Sequence, residues 1–398
     1  MAREVTEKIF WAVVLFVSSG ALLPLLLGDR SVVYSIFWGT IYLITLFKFR
    51  SNMNSVLRLF IEEKMYLLTL LFILASVLWS VFPGITFKHF LTLLGTTIIG
   101  AYLGSRYDMR EIVDISLAAL GVGMILSILS IVCFPRIAQD LDQYDLAWKG
   151  VYATKNSLGR LMAYSIVLIL VRFFWEKQVK LVQFFYLIFS VLLLMLSGSK
   201  TGIGVVIAMG CVILCFKYKR LISKKLILAI ASIALLLLIS IVNYLEALLE
   251  LFGRDLTFTG RTVLWELSIE KLLEKPFLGY GYDAFWQGWD GPSSDIWNIL
   301  RWEPPHSHNG FIDVALNLGL IGLVIFTIGY LFNLRRAFEF SVISVYPFVA
   351  SVFILFYNIS ESSFLVPNSF FWIIYVAMLG YTLNQHKMVN SYNEMLSN

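Results

Sequence analysis

The feature that most limits what this chain can fold into is a succession of apolar runs, each close to the ~20 residues that carry a helix across a bilayer. They are predicted at residues 9–27, 32–47, 65–82, 87–104, 112–134, 157–174, 179–196, 201–216, 226–244, 309–332, 341–357 and 364–383, about twelve spans in all. Composition agrees. Hydrophobic residues make up 59% and charged residues 14% of the 398, against roughly 45–50% and 25% in a soluble domain. That balance leaves too little polar surface to cover a water-soluble particle, and lipid is the solvent it fits. The formal charge of +5 is no nucleic-acid signature, because the basic residues are scattered over many short loops instead of forming one stripe. Cys133, Cys211 and Cys215 fall in apolar stretches and form neither a disulfide framework nor a metal-ligating pair. The apolar N-terminus lacks a clear small-residue cleavage site, so it reads as the first span.

Lys and Arg in short loops mark the cytoplasmic side. With the N-terminus inside, the inside segments hold Arg3 and Lys8, then Lys48, Arg50, Arg58 and Lys64, then Arg106 and Arg110, then Arg172, Lys177 and Lys180. They continue with Lys217, Lys219, Arg220, Lys224 and Lys225, then Arg335 and Arg336, then Lys387. The short outside turns 28–30, 83–88, 197–200 and 358–366 hold one basic residue or none. The fold class that follows is an all-α polytopic membrane protein of about twelve transmembrane helices, with both termini cytoplasmic. It is read as a single membrane domain over 1–398. One large extracytoplasmic loop, residues 245–308, joins the ninth and tenth helices, and a second outside segment covers 135–156. Long ordered loops on a rigid scaffold are where function concentrates.

The positional rule disfavours basic residues outside, so Lys88, Lys149, Lys155, Arg160, Lys200, Arg254 and Arg261 need a reason. A cation at mid-membrane depth costs about 2.5–3.5 kcal/mol on insertion scales. Either an anionic ligand satisfies them, or they snorkel and pair with Asp140, Asp142, Asp145, Asp313 or Glu361. Lys200 lies in Ser197-Gly198-Ser199-Lys200-Thr201-Gly202, where glycine permits a tight turn and the following helix start offers free amides to an anion. The spacing is not that of a P-loop. Thr259-Gly260-Arg261 opens a predicted helix over 262–275, closed by Pro276 and Gly279. Its apolar positions Val263, Leu264, Leu267, Leu272 and Leu273 predict an amphipathic helix lying on the membrane. Arg261 at its start would aim a five-donor fork at a phosphate or carboxylate, or order the loop by pairing with an acid.

Histidine is scarce: His89, His306, His308 and His386. His306-Ser307-His308-Asn309 closes the large loop, and an imidazole there can accept a proton from a hydroxyl. A metal would need three or four ligands. His-x-His supplies two and no cysteine is near, so no metal is expected. The alternative is a pair of histidines bonded locally at the interface. The loop aromatics Phe285, Trp286, Trp289, Trp297 and Trp302 suit a membrane interface better than sugar stacking.

These residues also fall into a familiar order. Gly260-Arg261-Thr262-Val263-Leu264-Trp265, then Lys275-Pro276-Phe277-Leu278-Gly279-Tyr280-Gly281, then His308-Asn309-Gly310-Phe311, then Leu318-Gly319-Leu320-Ile321-Gly322 resemble the O-antigen ligase and polymerase superfamily. Residues 149–159, with Lys155-Asn156-Ser157-Leu158-Gly159, resemble its KN-x-x-G element. Ser197-Gly198-Ser199-Lys200-Thr201 resembles its S-x-S-[RK]-[TS] turn, with Lys200 where the family often has Arg. Asn358-Ile359-Ser360-Glu361-Ser362 resembles its T-E-S element. The resemblance covers about residues 82–383.

The resemblance implies metal-independent, inverting transfer of a glycan from an undecaprenyl diphosphate donor to an acceptor sugar hydroxyl, at the outer face of a bacterial inner membrane and without a cofactor. The partners implied are that donor, a glycan or lipid-linked acceptor and membrane lipids. His308 would take the acceptor proton, with His306 in reserve. Arg261 and Lys200, with Lys88 and Lys155, would neutralise the leaving diphosphate. A polysaccharide polymerase is the first reading and an O-antigen ligase the second. A transporter or flippase is the rival from another class, but no inverted repeat is visible.

Overall fold

The computed structural model describes residues 2–21, 32–50, 53–142, 145–176, 180–218 and 260–385. The predicted span 226–244, the loop segment 245–259 with Arg254, and His386 lie outside the described residues. The chain folds as two compact units, each built from two separate stretches: Met1–Ile41 with Asp108–Ala247, and Tyr42–Tyr107 with Leu248–Asn398.

In the first unit, α1 (Ala2–Ser18) packs on α6 (Met109–Cys133), and α7 (Lys155–Trp175) carries α8 (Leu181–Leu196) and α9 (Lys200–Lys217) against it. Pro135–Ala138 is a single helical turn. It leads into a two-stranded antiparallel ribbon, β1 (Gln139–Asp142) and β2 (Asp145–Trp148), with Gln139 opposite Trp148. Nothing in the hydropathy pattern announced this ribbon.

The second unit holds α2 (Val32–Phe49, whose first residues belong to the other unit), α3 (Met53–Glu62), α4 (Lys64–Ala75) and α5 (Pro83–Arg106). It continues with α10 (Gly260–Glu274), α11 (Ser294–Leu300), α12 (Gly310–Phe340), α13 (Tyr346–Tyr357) and α14 (Phe370–Asn384). The closest packing joins α5 to α14. There Gly100 and Gly104 let the two backbones meet: an added Cβ would lie 2.7 Å from Ile373 O and 2.2 Å from Ala377 O respectively. Small residues at a helix crossing are what lipid-embedded helices use where hydrophobicity cannot drive association.

Each predicted span other than 226–244 overlaps a helix, but α1 ends at Ser18 and residues 22–27 of the first span lie outside the described residues. Among the described residues, four helices are long and apolar enough to cross a membrane: α6, α7, α9 and α12. Shorter apolar helices include Val32–Lys48, Leu181–Leu196, Tyr346–Tyr357 and Phe370–Asn384. Large apolar side chains point outward along them. Leu181, Val182 and Phe184 of α8, and Leu331, Phe332 and Phe338 of α12, are half or more exposed, a surface that lipid tolerates and water does not.

Boundaries depart from the reading in informative ways. The first helix begins at Ala2, because Lys8 pairs with Glu4 one turn back and with Glu111 of α6. The amphipathic helix α3 was not foreseen. The helix predicted to end at 332 runs to Phe340, so Arg335 and Arg336 lie on it. Arg336 pairs there with the buried Glu63 at the α3–α4 elbow.

Helix α12 is broken at Gly319 (φ +67°, ψ −177°), and the break is filled by the loop before it. The amides of Tyr280 and Gly281 donate to Leu316 O (2.9 Å) and Asn317 O (3.0 Å), and the amides of Leu320 and Ile321 donate to Pro276 O (2.8 Å) and Phe277 O (3.3 Å). Non-helical backbone at membrane depth survives only where protein or water satisfies its polar groups. Here the Pro276–Gly281 segment does so, and it needs glycine on both sides. An added Cβ on Gly279 would meet Gly319 N at 2.6 Å, and one on Gly319 would meet Phe277 O at 2.1 Å.

Candidate functional site

The clasp at Gly319 fixes where the large loop ends. Helix α10 lays Leu264 into a core with Tyr280, Phe285, Ile296 and Leu316, flanked by Leu267 and Leu272. Its predicted apolar stripe therefore divides: Leu264, Leu267 and Leu272 pack on protein, while Val263 and Leu273 remain exposed. Most of the aromatics serve the loop itself. Phe285 is wholly buried, Trp297 donates to Pro304 O (3.1 Å) and Trp286 donates to Asp313 Oδ1 (2.9 Å).

Each residue of the His-Asn-Gly triplet has a separate job. His308 sits in the left-handed region (φ +54°), a conformation that costs a non-glycine residue roughly 1–3 kcal/mol and persists only where its surroundings dictate it. Its amide donates to His306 Nδ1 (3.1 Å), and the two rings lie 4.2 Å apart. Asn309 caps α12, its Oδ1 accepting from the amides of Phe311 and Ile312, and its Nδ2 donates to Ile359 O (3.1 Å). Gly310 approaches the 358–361 turn so closely that a Cβ would lie 2.1 Å from Asn358 Oδ1. Trp265 of α10 donates to Ser307 O (2.8 Å), which ties the start of that helix to the same place.

At the centre is Glu361, 6% exposed. Its Oε2 meets His308 Nδ1 at 3.2 Å and its Oε1 meets Arg261 Nη2 at 2.8 Å, while Arg261 Nη1 donates to Ser360 O at 2.8 Å. Burial alone would push this carboxyl up. The His308 hydrogen bond and the charges of Arg261 and the two imidazoles outweigh burial and hold it at about 2. Glu361 is therefore an anion at any working pH. A neutral ring that donates Nδ1–H to that anion has its lone pair on Nε2, on the far side of the ring. This is the arrangement by which a carboxylate sets an imidazole's tautomer for base catalysis. Trp302 stands beside it, ring centroids 6.3 Å apart.

Asp313 supports the cluster from beneath. Its Oδ1 accepts from the Ser307 amide (3.0 Å) and from Trp286, and its Oδ2 accepts from Ser362. The sequence marked Glu361 and Asp313 as acids that could pair with an outer cation, and Glu361 also as part of the T-E-S element. The Arg261–Glu361 pair fits that alternative, whereas the bond from Glu361 to His308 and the support from Asp313 were missed.

His306, His308 and Glu361 bring one ligand atom each to within 4.8 Å of one another. This alters the count made from sequence, since Glu361 supplies the third donor that His-x-His lacks. The chemistry of the set still suits an ion pair better. Both carboxylate oxygens and His306 Nδ1 are engaged, and the guanidinium of Arg261 stands where a dication would be repelled.

Lys88 is exposed in the second turn of α5. Lys155 and Lys200 belong to the first unit, where they open α7 and α9. Their two turns interlock. Thr154 caps α7 by accepting from the Ser157 amide, Ser199 caps α9 by accepting from the Gly202 amide, and a Cβ on Gly159 would strike Ser199 Cβ at 2.3 Å. Gly198 takes the predicted turn at φ +60°. Asp140 accepts from the Lys155 amide (3.0 Å).

Arg261, His308 and Glu361 thus meet within the second unit, and sequence comparison adds an independent likeness. Residues 185–327 match the O-antigen ligase family model. Over that region the chain is similar to the O-antigen ligase and polymerase superfamily. It is similar to the exopolysaccharide production protein ExoQ of Rhizobium meliloti (strain 1021), with 24% identity over 273 residues, 65% of this chain and 61% of that protein. A putative polysaccharide ligase of Rickettsia conorii is 38% identical over 69 residues, 17% of each chain. An uncharacterized protein of Haemophilus influenzae is 33% identical over 147 residues, 31% of this chain and 35% of that protein. The chain thus spans less than two thirds of the length of these relatives.

Proposed function

We propose that this protein transfers a glycan from an undecaprenyl diphosphate-linked donor to a sugar hydroxyl, at the outer face of a bacterial inner membrane that it crosses about twelve times. The observation that carries the reading is the His308–Glu361–Arg261 cluster: an imidazole oriented by a buried carboxylate, next to a guanidinium with exposed area. His308 Nε2 takes the proton of the acceptor hydroxyl as that oxygen attacks the anomeric carbon, and the bond to the diphosphate breaks with inversion. Arg261, positioned through Ser360 and Glu361, stabilises the charge growing on the leaving group. His306 holds the backbone of His308 and is the reserve base. Lys155 and Lys200 are assigned to the diphosphate on their sequence motifs, and Lys88 as a further cation on the outer side. Preorganised donors aimed at developing charge are usually the largest catalytic term. The chemistry needs no metal, since imidazole and guanidinium supply the base and the electrophile.

Polymerisation of lipid-linked repeat units is the first reading. Ligation of a finished glycan to another acceptor is the second, and it is favoured by the family description and by the Rickettsia relative's name. Expression in strains lacking each activity separates them. A restored ladder of chain lengths means polymerase, and restored transfer of intact chains means ligase. No rescue of either strain, together with no turnover by the purified protein, would refute both.

A further inference from the structure

A second histidine–carboxylate pair hangs on the same scaffold and has no part in the reading above. His89 of α5 bonds through Nδ1 to Asp283 Oδ2, with the two side chains 28% and 38% exposed. Asp283, like His308, is a non-glycine residue in the left-handed region (φ +53°). Its neighbours enforce that backbone. Tyr282 is buried, its amide donating to Ser76 Oγ (3.1 Å) and its carbonyl accepting from Thr86 Oγ1 (2.9 Å), while Ala284 and Phe285 are wholly buried. A strained residue held this firmly points to a function for its side chain. The two pairs also share a support. Trp286, three residues after Asp283, donates to the same Asp313 oxygen that accepts from Ser307, and Ser362 next to Glu361 donates to the other.

The chemistry of the second pair differs from that of the first. Glu361 shares its charge between His308 and Arg261, whereas Asp283 faces His89, and the residue before His89 is the exposed Lys88. With Nδ1 held by Asp283, the ring turns Nε2 away from the carboxylate, where an N–H can donate to an anion, and Lys88 adds an exposed ammonium one position earlier on the same helix. That combination grips phosphate oxygens. We propose that His89, oriented by Asp283 and joined by Lys88, is a second substrate-contacting imidazole that binds the phosphate of a lipid diphosphate. The inference rests on the transferase reading and adds a substrate contact to it. Two sources share this chemistry: the diphosphate of the donor, or that of a lipid-linked acceptor, which only a polymerase would present.

The test uses purified full-length protein in lipid nanodiscs with a diphosphate-linked glycan donor. Two acceptors are compared: the diphosphate-linked glycan and the same glycan on a phosphate-free alkyl chain. In His89→Gln and Asp283→Asn, KM for one diphosphate substrate should rise about tenfold, the scale of one charge-assisted contact (~1.4 kcal/mol per tenfold), with kcat within about threefold of wild type. His89→Lys, which keeps an N–H donor, should recover most of the affinity. If the penalty vanishes on the alkyl acceptor, the phosphate is the acceptor's. If it persists as a raised donor KM on both acceptors, the phosphate is the donor's. Unchanged KM for both substrates would overturn the proposal, as would an equal loss of kcat with His89→Lys no better than His89→Gln. Failure of the transferase reading itself would show differently, as no turnover by the wild-type protein.

Discussion

The two clusters of motif residues are built on opposite plans. In the second unit, Arg261, His308 and Glu361 are partly or wholly buried and fully cross-bonded, over a backbone held in strained and broken conformations. In the first unit, Lys155 and Lys200 sit at capped helix starts in ordinary helical geometry, with Lys200 exposed. The first plan fixes direction: a planar fork and an oriented imidazole tolerate little displacement. The second supplies only local positive charge, which a flexible ammonium delivers from many rotamers. Substitutions should therefore be costly in one cluster and graded in the other.

The largest effects are expected at the dyad. His308→Ala removes the base and should lower kcat by about 100–10,000-fold, with little change in KM. Glu361→Gln should cost a comparable factor through the wrong imidazole tautomer. It should also destabilise the protein by about 3–5 kcal/mol, because Arg261 is left as an uncompensated charge. Arg261→Ala comes next, at about 100–1,000-fold in rate, and Arg261→Lys should recover only part, since an ammonium cannot span Ser360 O and Glu361 Oε1 together. A Lys200→Ala or Lys155→Ala variant losing more activity than Arg261→Ala would overturn the contrast. We expect each to lose about tenfold or less, with Lys200→Arg near wild type.

Stability offers a smaller and independent check. Gly319→Ala places a methyl group against Phe277 O at a left-handed position, so it should cost about 1–3 kcal/mol from conformation alone, read as a lower unfolding midpoint in detergent. The pH dependence has a definite sign. Glu361 is held at about 2, below the ordinary ~4.3 of a glutamate. Its contribution is complete above that ordinary value and is lost as pH falls toward 2. The wild-type protein should lose more stability than Glu361→Gln between about pH 4 and pH 2.

The helices were legible because burial in lipid leaves long apolar runs, and the loop cluster was legible through Arg261 and His308, whose residue types are rare at such positions. What escaped is long-range in the chain. Arg261 and Glu361 are 100 residues apart, and nothing local tells which acid a cation will meet. The His89–Asp283 pair joins positions 194 apart. The break at Gly319 was invisible for a different reason: the apolar pattern continues through it, and only the insertion of Pro276–Gly281 makes a non-helical residue affordable there. The β1–β2 ribbon is too short and too polar to leave a period in the sequence.

The most direct measurement is turnover of a diphosphate-linked glycan by the purified protein in the presence of EDTA, for wild type, His308→Ala and Arg261→Ala side by side. The account predicts product from the wild type, and losses of two orders of magnitude or more in both variants with folding intact. Normal turnover by both variants would contradict it.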